Sequence, residues 1–114
     1  MAYKKIDPDA KAKWVAALRS GNYKQGQGCL MAPFKQFCCL GVLATEMGIK
    51  TRKTSFSSSS NYKQFVFPDG DIRQYDVPAG FCGLTEKQID RLTDMNDEQH
   101  MTFDQIANWI QKNL

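Results

Sequence analysis

Residues 36–48 read Gln36-Phe37-Cys38-Cys39-Leu40-Gly41-Val42-Leu43-Ala44-Thr45-Glu46-Met47-Gly48, and Phe37–Ala44 is the longest apolar run in the chain. A run this short cannot span a bilayer, which takes about 20 apolar residues. Its first part, Gln36–Leu40, reads as a strand. Leu40–Met47 reads as a short buried helix ended by Gly48, although apolar runs of this length fit either state. A buried strand leading into a buried helix implies a mixed core.

Upstream, Pro33 forces a turn, and Tyr23–Met31 is an extended, glycine-punctuated stretch. With Gln36–Leu40 it reads as a hairpin. Further back, Asp7-Pro8 is a favourable helix start, because Asp is a good N-cap and Pro fits the first helical position. Ala10, Trp14, Ala17 and Leu18 follow as one apolar stripe, and Ser20-Gly21-Asn22 ends it.

Downstream, Ile49–Asn61 holds Lys50, Arg52, Lys53 and a serine cluster and reads as a surface loop. Tyr62–Phe67 and Ile72–Val77 flank Pro68-Asp69-Gly70-Asp71, a strong turn motif, and so predict a second hairpin. Thr85-x-x-Gln88 and Thr102-x-x-Gln105 are capping boxes. Each opens an amphipathic helix, the first with Ile89, Leu92 and Met95 inward, the second with Phe103, Ile106, Ala107 and Ile110. The expected fold is α+β: one domain over 1–114, a small antiparallel sheet from two hairpins, about four helices and a C-terminal helical pair.

The chain has 114 residues, 42% hydrophobic and 24% charged, with a net charge of +3. That balance predicts a globular domain rather than disorder. The charge is too mild for generic nucleic-acid binding, but it is uneven: +4 over residues 1–24 and −3 over residues 85–114. Such a dipole suits an anionic ligand near the N-terminal half or head-to-tail self-association, or reflects two ordinary solvated faces. Met1–Lys11 is polar and charged, unlike a signal peptide, so a cytoplasmic location is expected.

Several chemistries fit poorly. Cys29, Cys38, Cys39 and Cys82 contain no Cys-x-x-Cys turn, so core thiols are expected and no metal. His100 is the only histidine, and nothing in the sequence pairs it with Cys82 as a nucleophile and base. Asp94 to Gln105 lacks the glycine and final glutamate of a calcium loop. The C-terminal helical pair has a long corner and only Lys112 as a cation on its second helix, so duplex DNA is not expected.

The stretch from Trp14 to Gly28 is richer. Aromatics stack on bases, cations meet phosphate, and glycines let backbone amides approach an anion. Trp14 reads as core on the apolar stripe or as a stacking platform. Tyr23, Lys24 and Gln25 read as a ligand face or an exposed hairpin edge. Lys53, in the 50–53 basic run, is a second candidate. Asn96, at a helix end, reads as a cap or as a ligand contact.

One pattern runs through the chain: Trp14-x3-Leu18-x-Ser20-Gly21-x-Tyr23-x-Gln25-x2-Gly28, then Phe37-Cys38-Cys39-Leu40-Gly41-Val42-Leu43, then Met95-Asn96-Asp97, then Thr102-Phe103-x2-Ile106-Ala107. It resembles a widespread family of small proteins of tailed bacteriophages and prophages. The resemblance implies a phage accessory that counters host immunity. The expected activity is sequestration, without cleavage, of a cyclic dinucleotide or cyclic ADP-ribose signal of CBASS or Thoeris defence, with no cofactor, in the cytoplasm of the infected bacterium. On that reading Trp14 and Tyr23 stack on a base. Arg19, Lys24 and Lys53 meet phosphate, and Gln25, Gln27 and Asn96 read base edges or ribose. Trp14, Tyr23, Gln25 and Asn96 belong to the pattern, whereas Arg19, Lys24, Gln27 and Lys53 rest on residue chemistry. A homo-oligomer with ligand at or near a subunit interface is expected. The alternative is a phage protein that inhibits a host protein by direct contact through its acidic C-terminal helices.

Overall fold

The computed structural model describes residues 6–32, 36–53, 63–68, 70, 72–73 and 75–114. Helix α1 (Pro8–Arg19) starts as its sequence predicts: the Asp7 carboxylate accepts the Ala10 N–H at 3.3 Å, and Pro8 takes the first turn. Its inward face carries Ala10, Trp14, Val15, Ala17 and Leu18.

The 36–48 segment switches from strand to helix earlier than its composition suggests. Cys38 ends the extended run, and its sulfur caps α2 (Cys39–Glu46) by accepting the Gly41 N–H at 3.4 Å. Every residue from Cys39 to Ala44 is buried, so α2 is a central helix, apolar all round. Gly41 is required by packing: a Cβ there would sit 1.8 Å from the Leu30 carbonyl oxygen. The helix closes on Gly48 at φ +75° in a Schellman arrangement, with Ile49 N–H donating to Ala44 O and Gly48 N–H to Thr45 O, both at 3.0 Å.

Among the described residues one small three-stranded sheet precedes this helix in the chain and another follows it. In the first, β1 (Lys24–Gln25) pairs in parallel with β3 (Gln36–Phe37), and β2 (Met31–Ala32) pairs antiparallel with β3. The expected first hairpin is therefore a mixed sheet of two-residue strands, because the Gly26–Leu30 turn carries the chain across β3. The second sheet, β4 (Lys50–Lys53), β5 (Lys63–Val66) and β6 (Ile72–Arg73), is antiparallel in that order. The β5–β6 hairpin is the one expected. Lys50–Lys53 was expected in a loop; pairing with β5 makes it a strand, an example of tertiary context overriding weak propensity. The serine cluster lies outside the described residues.

The C-terminal pair forms as its capping boxes dictate. Helix α3 (Glu86–Asp97) has Gln88 N–H on Thr85 Oγ1 at 3.1 Å and Thr85 N–H on Gln88 Oε1 at 2.9 Å. Helix α4 (Phe103–Asn113) repeats the device with Thr102 and Gln105. One continuous apolar cluster joins α1, α2, α3 and α4 with Phe37, Phe65, Phe67 and Val77. Among the described residues the fold is α+β with four α-helices, and no helix is long and apolar enough to cross a membrane.

Candidate functional site

Asn96 lies in the last turn of α3 and is wholly buried, yet its amide is fully used. Its oxygen accepts Gln25 Nε2 at 3.0 Å and Cys39 N–H at 3.2 Å. Its nitrogen donates to Gly26 O at 2.9 Å and Asp97 Oδ1 at 2.8 Å. Asp97 Oδ1 also accepts Gly28 N–H at 3.1 Å, and Gln25 Nε2 donates a second bond to Met101 O at 2.7 Å. A primary amide offers two donors and two acceptor lone pairs, so Asn96 has nothing left for a ligand. It is a clamp that fastens α3 to the start of α2 and to the glycine-rich turn. The expectation that Asn96 reads a base edge is corrected on that ground. Both amide protons of half-buried Gln25 are committed to the same clamp.

Trp14 is also corrected. Its side chain is 0% exposed, and Nε1 donates to Cys39 O at 2.8 Å, so no base can reach either face. Tyr23 is half-buried, packed edge-on against Phe37 with centroids 5.0 Å apart, and its hydroxyl donates to Glu46 Oε2 at 2.5 Å. Burial, then the hydrogen bond and charge of Glu46, push its phenol up to about 12. Lys24, on β1, and Gln27, in the glycine-rich turn, are exposed. Lys53 ends β4, opposite Lys63, and its side chain lies outside the described residues. The expected site residues thus separate: Trp14, Gln25 and Asn96 serve the fold, Tyr23 packs on Phe37 and Glu46, and Lys24 and Gln27 are exposed.

Arg19 leads elsewhere. At the end of α1 it reaches across to α4, where it donates to Asn108 Oδ1 at 2.7 Å and Gln111 Oε1 at 2.8 Å. Two turns earlier Lys11 donates to Gln111 O at 3.5 Å. Between them lies a hollow of about 520 Å³, floored by Ala12, Val15 and Ala16. Eight residues of helix separate the two cations by about 12 Å. None of the lining residues is acidic, and among the described residues every acceptor of Lys11 and Arg19 is a neutral amide oxygen. The hollow therefore has an apolar floor, a cation at each end and an amide on its wall. Ligand pockets of this size, mostly apolar with a few placed polar groups, are typical of small-molecule sites.

Lys11, Ala12, Ala16 and Gln111 were not among the expected site residues. The spacing of Lys11, Ala12, Ala16 and Arg19 on one helical face was visible in the sequence. The contribution of Gln111 was not, since only the packing of α4 on α1 brings it there.

The family description "Domain of unknown function (DUF8296)" matches residues 6–80, more than half of the chain. The chain belongs to the DUF8296 family. The matched span holds α1, α2, both sheets and most of the hollow, and ends before α3 and α4. Asn96, Asp97 and Gln111 are therefore contributed from outside the DUF8296 span. No curated protein and no solved structure matches the chain.

The thiols are poor nucleophiles where they stand. Burial pushes Cys38 up to about 12 and Cys39 well above its ordinary range. Burial and the nearby Asp7 push Cys82 up to about 11. Thiolate character, which nucleophilic and metal-binding cysteines need, is suppressed. Among the described residues no group of three or more His, Cys, Asp or Glu could hold a metal ion.

Proposed function

We propose that this DUF8296 protein binds and sequesters a small anionic ligand of the cyclic nucleotide class, without turnover, in the hollow between α1 and α4. The observation that carries the reading is the pair of cations, Lys11 and Arg19, beside an apolar floor, whose acceptors among the described residues are neutral amide oxygens. Phosphate meets the guanidinium, the base lies on Ala12, Val15 and Ala16, and the Gln111 amide reads its edge. The choice of a cyclic dinucleotide or cyclic ADP-ribose signal, and of a phage protein acting in its host's cytoplasm, is supported by the resemblance of the Trp14, Cys38-Cys39 and Asn96 patterns to phage proteins. The hollow is open along α1, and a second subunit supplies its other wall.

The test is thermal unfolding with a panel of cyclic dinucleotides and cyclic ADP-ribose isomers. A ligand at about 100 times its dissociation constant adds about 2.7 kcal/mol, several degrees for a domain this size. Arg19→Ala and Lys11→Ala should each shrink the shift while leaving the unliganded melting point nearly unchanged, because Arg19 is exposed and Lys11 is only partly covered. Ligand released by heating should be chemically intact. A full panel without a shift removes the reading in favour of direct inhibition of a host protein, and altered ligand makes the protein an enzyme.

A further inference from the structure

The second sheet carries features that the α1–α4 hollow does not use. In its register Lys50 faces Val66, Val66 faces Ile72, and Arg52 faces Gln64. Residues paired across a sheet share a face, and alternate residues along a strand share it too. Lys50, Arg52, Gln64, Val66 and Ile72 therefore form one face, with Lys50 and Arg52 about 6.7 Å apart. The opposite face carries Phe65, which is buried in the core. Ile72 stays 41% exposed, one of the two large apolar side chains left in that state among the described residues. None of the ten residues in β4, β5 and β6 is acidic.

Strand β4 is an edge, paired on one side only among the described residues. At the start of β4 lies a hollow of about 510 Å³ lined by Ile49, Lys50 and Thr51 together with Val66, Phe67 and Pro68. An edge strand offers backbone N–H and C=O groups to a further strand, and an adjacent hollow takes one side chain of that strand. A second copy pairing through its own β4 would set cation against cation, which is repulsive.

We infer that the β4 edge is a docking site for an extended acidic segment of a partner protein. The segment adds as a fourth strand, seats one apolar side chain in the hollow beside Ile49 and Phe67, and sets carboxylates at alternate positions against Lys50 and Arg52. The spacing is that of the strand itself, so every second residue of the partner meets a cation. This docking is independent of the α1–α4 hollow and stands or falls separately from it.

Fluorescence anisotropy with a short synthetic peptide of alternating glutamate and valine, ending in leucine, tests it at low ionic strength. The wild-type protein should bind the peptide saturably. Lys50→Glu combined with Arg52→Glu should weaken binding on the order of tenfold or more, and should instead bind the peptide in which lysine replaces glutamate. Both side chains are exposed, so the double variant keeps its fold. A peptide N-methylated at alternate amides should bind poorly, because it cannot complete the ladder. No saturable binding to wild type would leave the cations as a guard against aggregation and overturn the proposal. So would equal binding by the double variant, or undiminished binding of the N-methylated peptide.

Discussion

Removing the Asn96 amide strands two buried backbone groups at once, the Cys39 N–H and the Gly26 carbonyl. Leaving such a group unsatisfied costs about 1–3 kcal/mol. Asn96→Ala should therefore lower stability by about 2–6 kcal/mol in urea unfolding, far more than an exposed cap would. A loss below about 1 kcal/mol, the usual range for a single cap, would show that the clamp is not structural. The clue to Asn96 was in the sequence: it falls seven residues after Ile89, on the inward stripe of α3, where a polar side chain must find partners. Its partners were not legible, since Gln25, Gly26 and Cys39 come together only through the packing of α3 on α2. Trp14 shows the reverse. Its place on the apolar stripe announced burial, and the chemistry of aromatic stacking pointed the wrong way.

Among the elements, the helices were readable because their start and stop chemistry is local. The boxes at Thr85 and Thr102, and the Asp7 cap, act over three residues and formed as expected. The short strands were not, because two-residue pairing is set by partners distant in sequence. Thus β1 runs parallel to β3, and Lys50–Lys53 becomes a strand only when Lys63–Val66 lies beside it. The corner between α3 and α4 carries a local defect that a substitution can expose. His100 sits there at φ +52°, in the left-handed region, with its side chain exposed. That conformation costs a side-chain-bearing residue about 1–2 kcal/mol, and glycine's greater freedom when unfolded costs about 0.5–1. His100→Gly should gain the difference, about 0.5–1 kcal/mol in urea unfolding. His100→Ala should gain nothing, and a gain with alanine would mean that the imidazole, not the backbone, is the source of strain.

For the whole molecule, acid–base behaviour gives one prediction. Asp76 is half-buried, and its carboxyl is raised above 3.8, first by burial and then by Asp90 and Asp97, against the lowering effects of the Val77 N–H and Arg73. The native state therefore holds the Asp76 proton more tightly than the unfolded chain does. This group's contribution to stability is present at low pH and is lost as pH rises from 3.8 through the raised folded value. Asp76→Asn keeps an oxygen for the Val77 N–H, which donates to Asp76 Oδ1 at 2.9 Å, and removes the charge. It should raise the urea midpoint at pH 7 and do so much less at pH 3.5. An equal gain at both would assign the effect to packing.

Assembly follows from the magnitude of binding that sequestration demands. A sequestering protein needs nanomolar affinity, about −12 kcal/mol. Stacking supplies about 1–3 kcal/mol per base, each hydrogen bond to a charged group about 1.5–3, and association costs at least about 4. The hollow between α1 and α4 offers Lys11, Arg19 and Gln111 around one open side, and its floor is aliphatic, without an aromatic to stack on. One wall of that kind falls short of the total, while a second copy closing over it doubles the contacts and excludes water. Light scattering coupled to size exclusion should therefore report more than one 12.9 kDa subunit, with the larger species favoured by a cyclic nucleotide. A particle of one subunit, with and without ligand, would mean that the hollow works alone at lower affinity, and sequestration would no longer account for it.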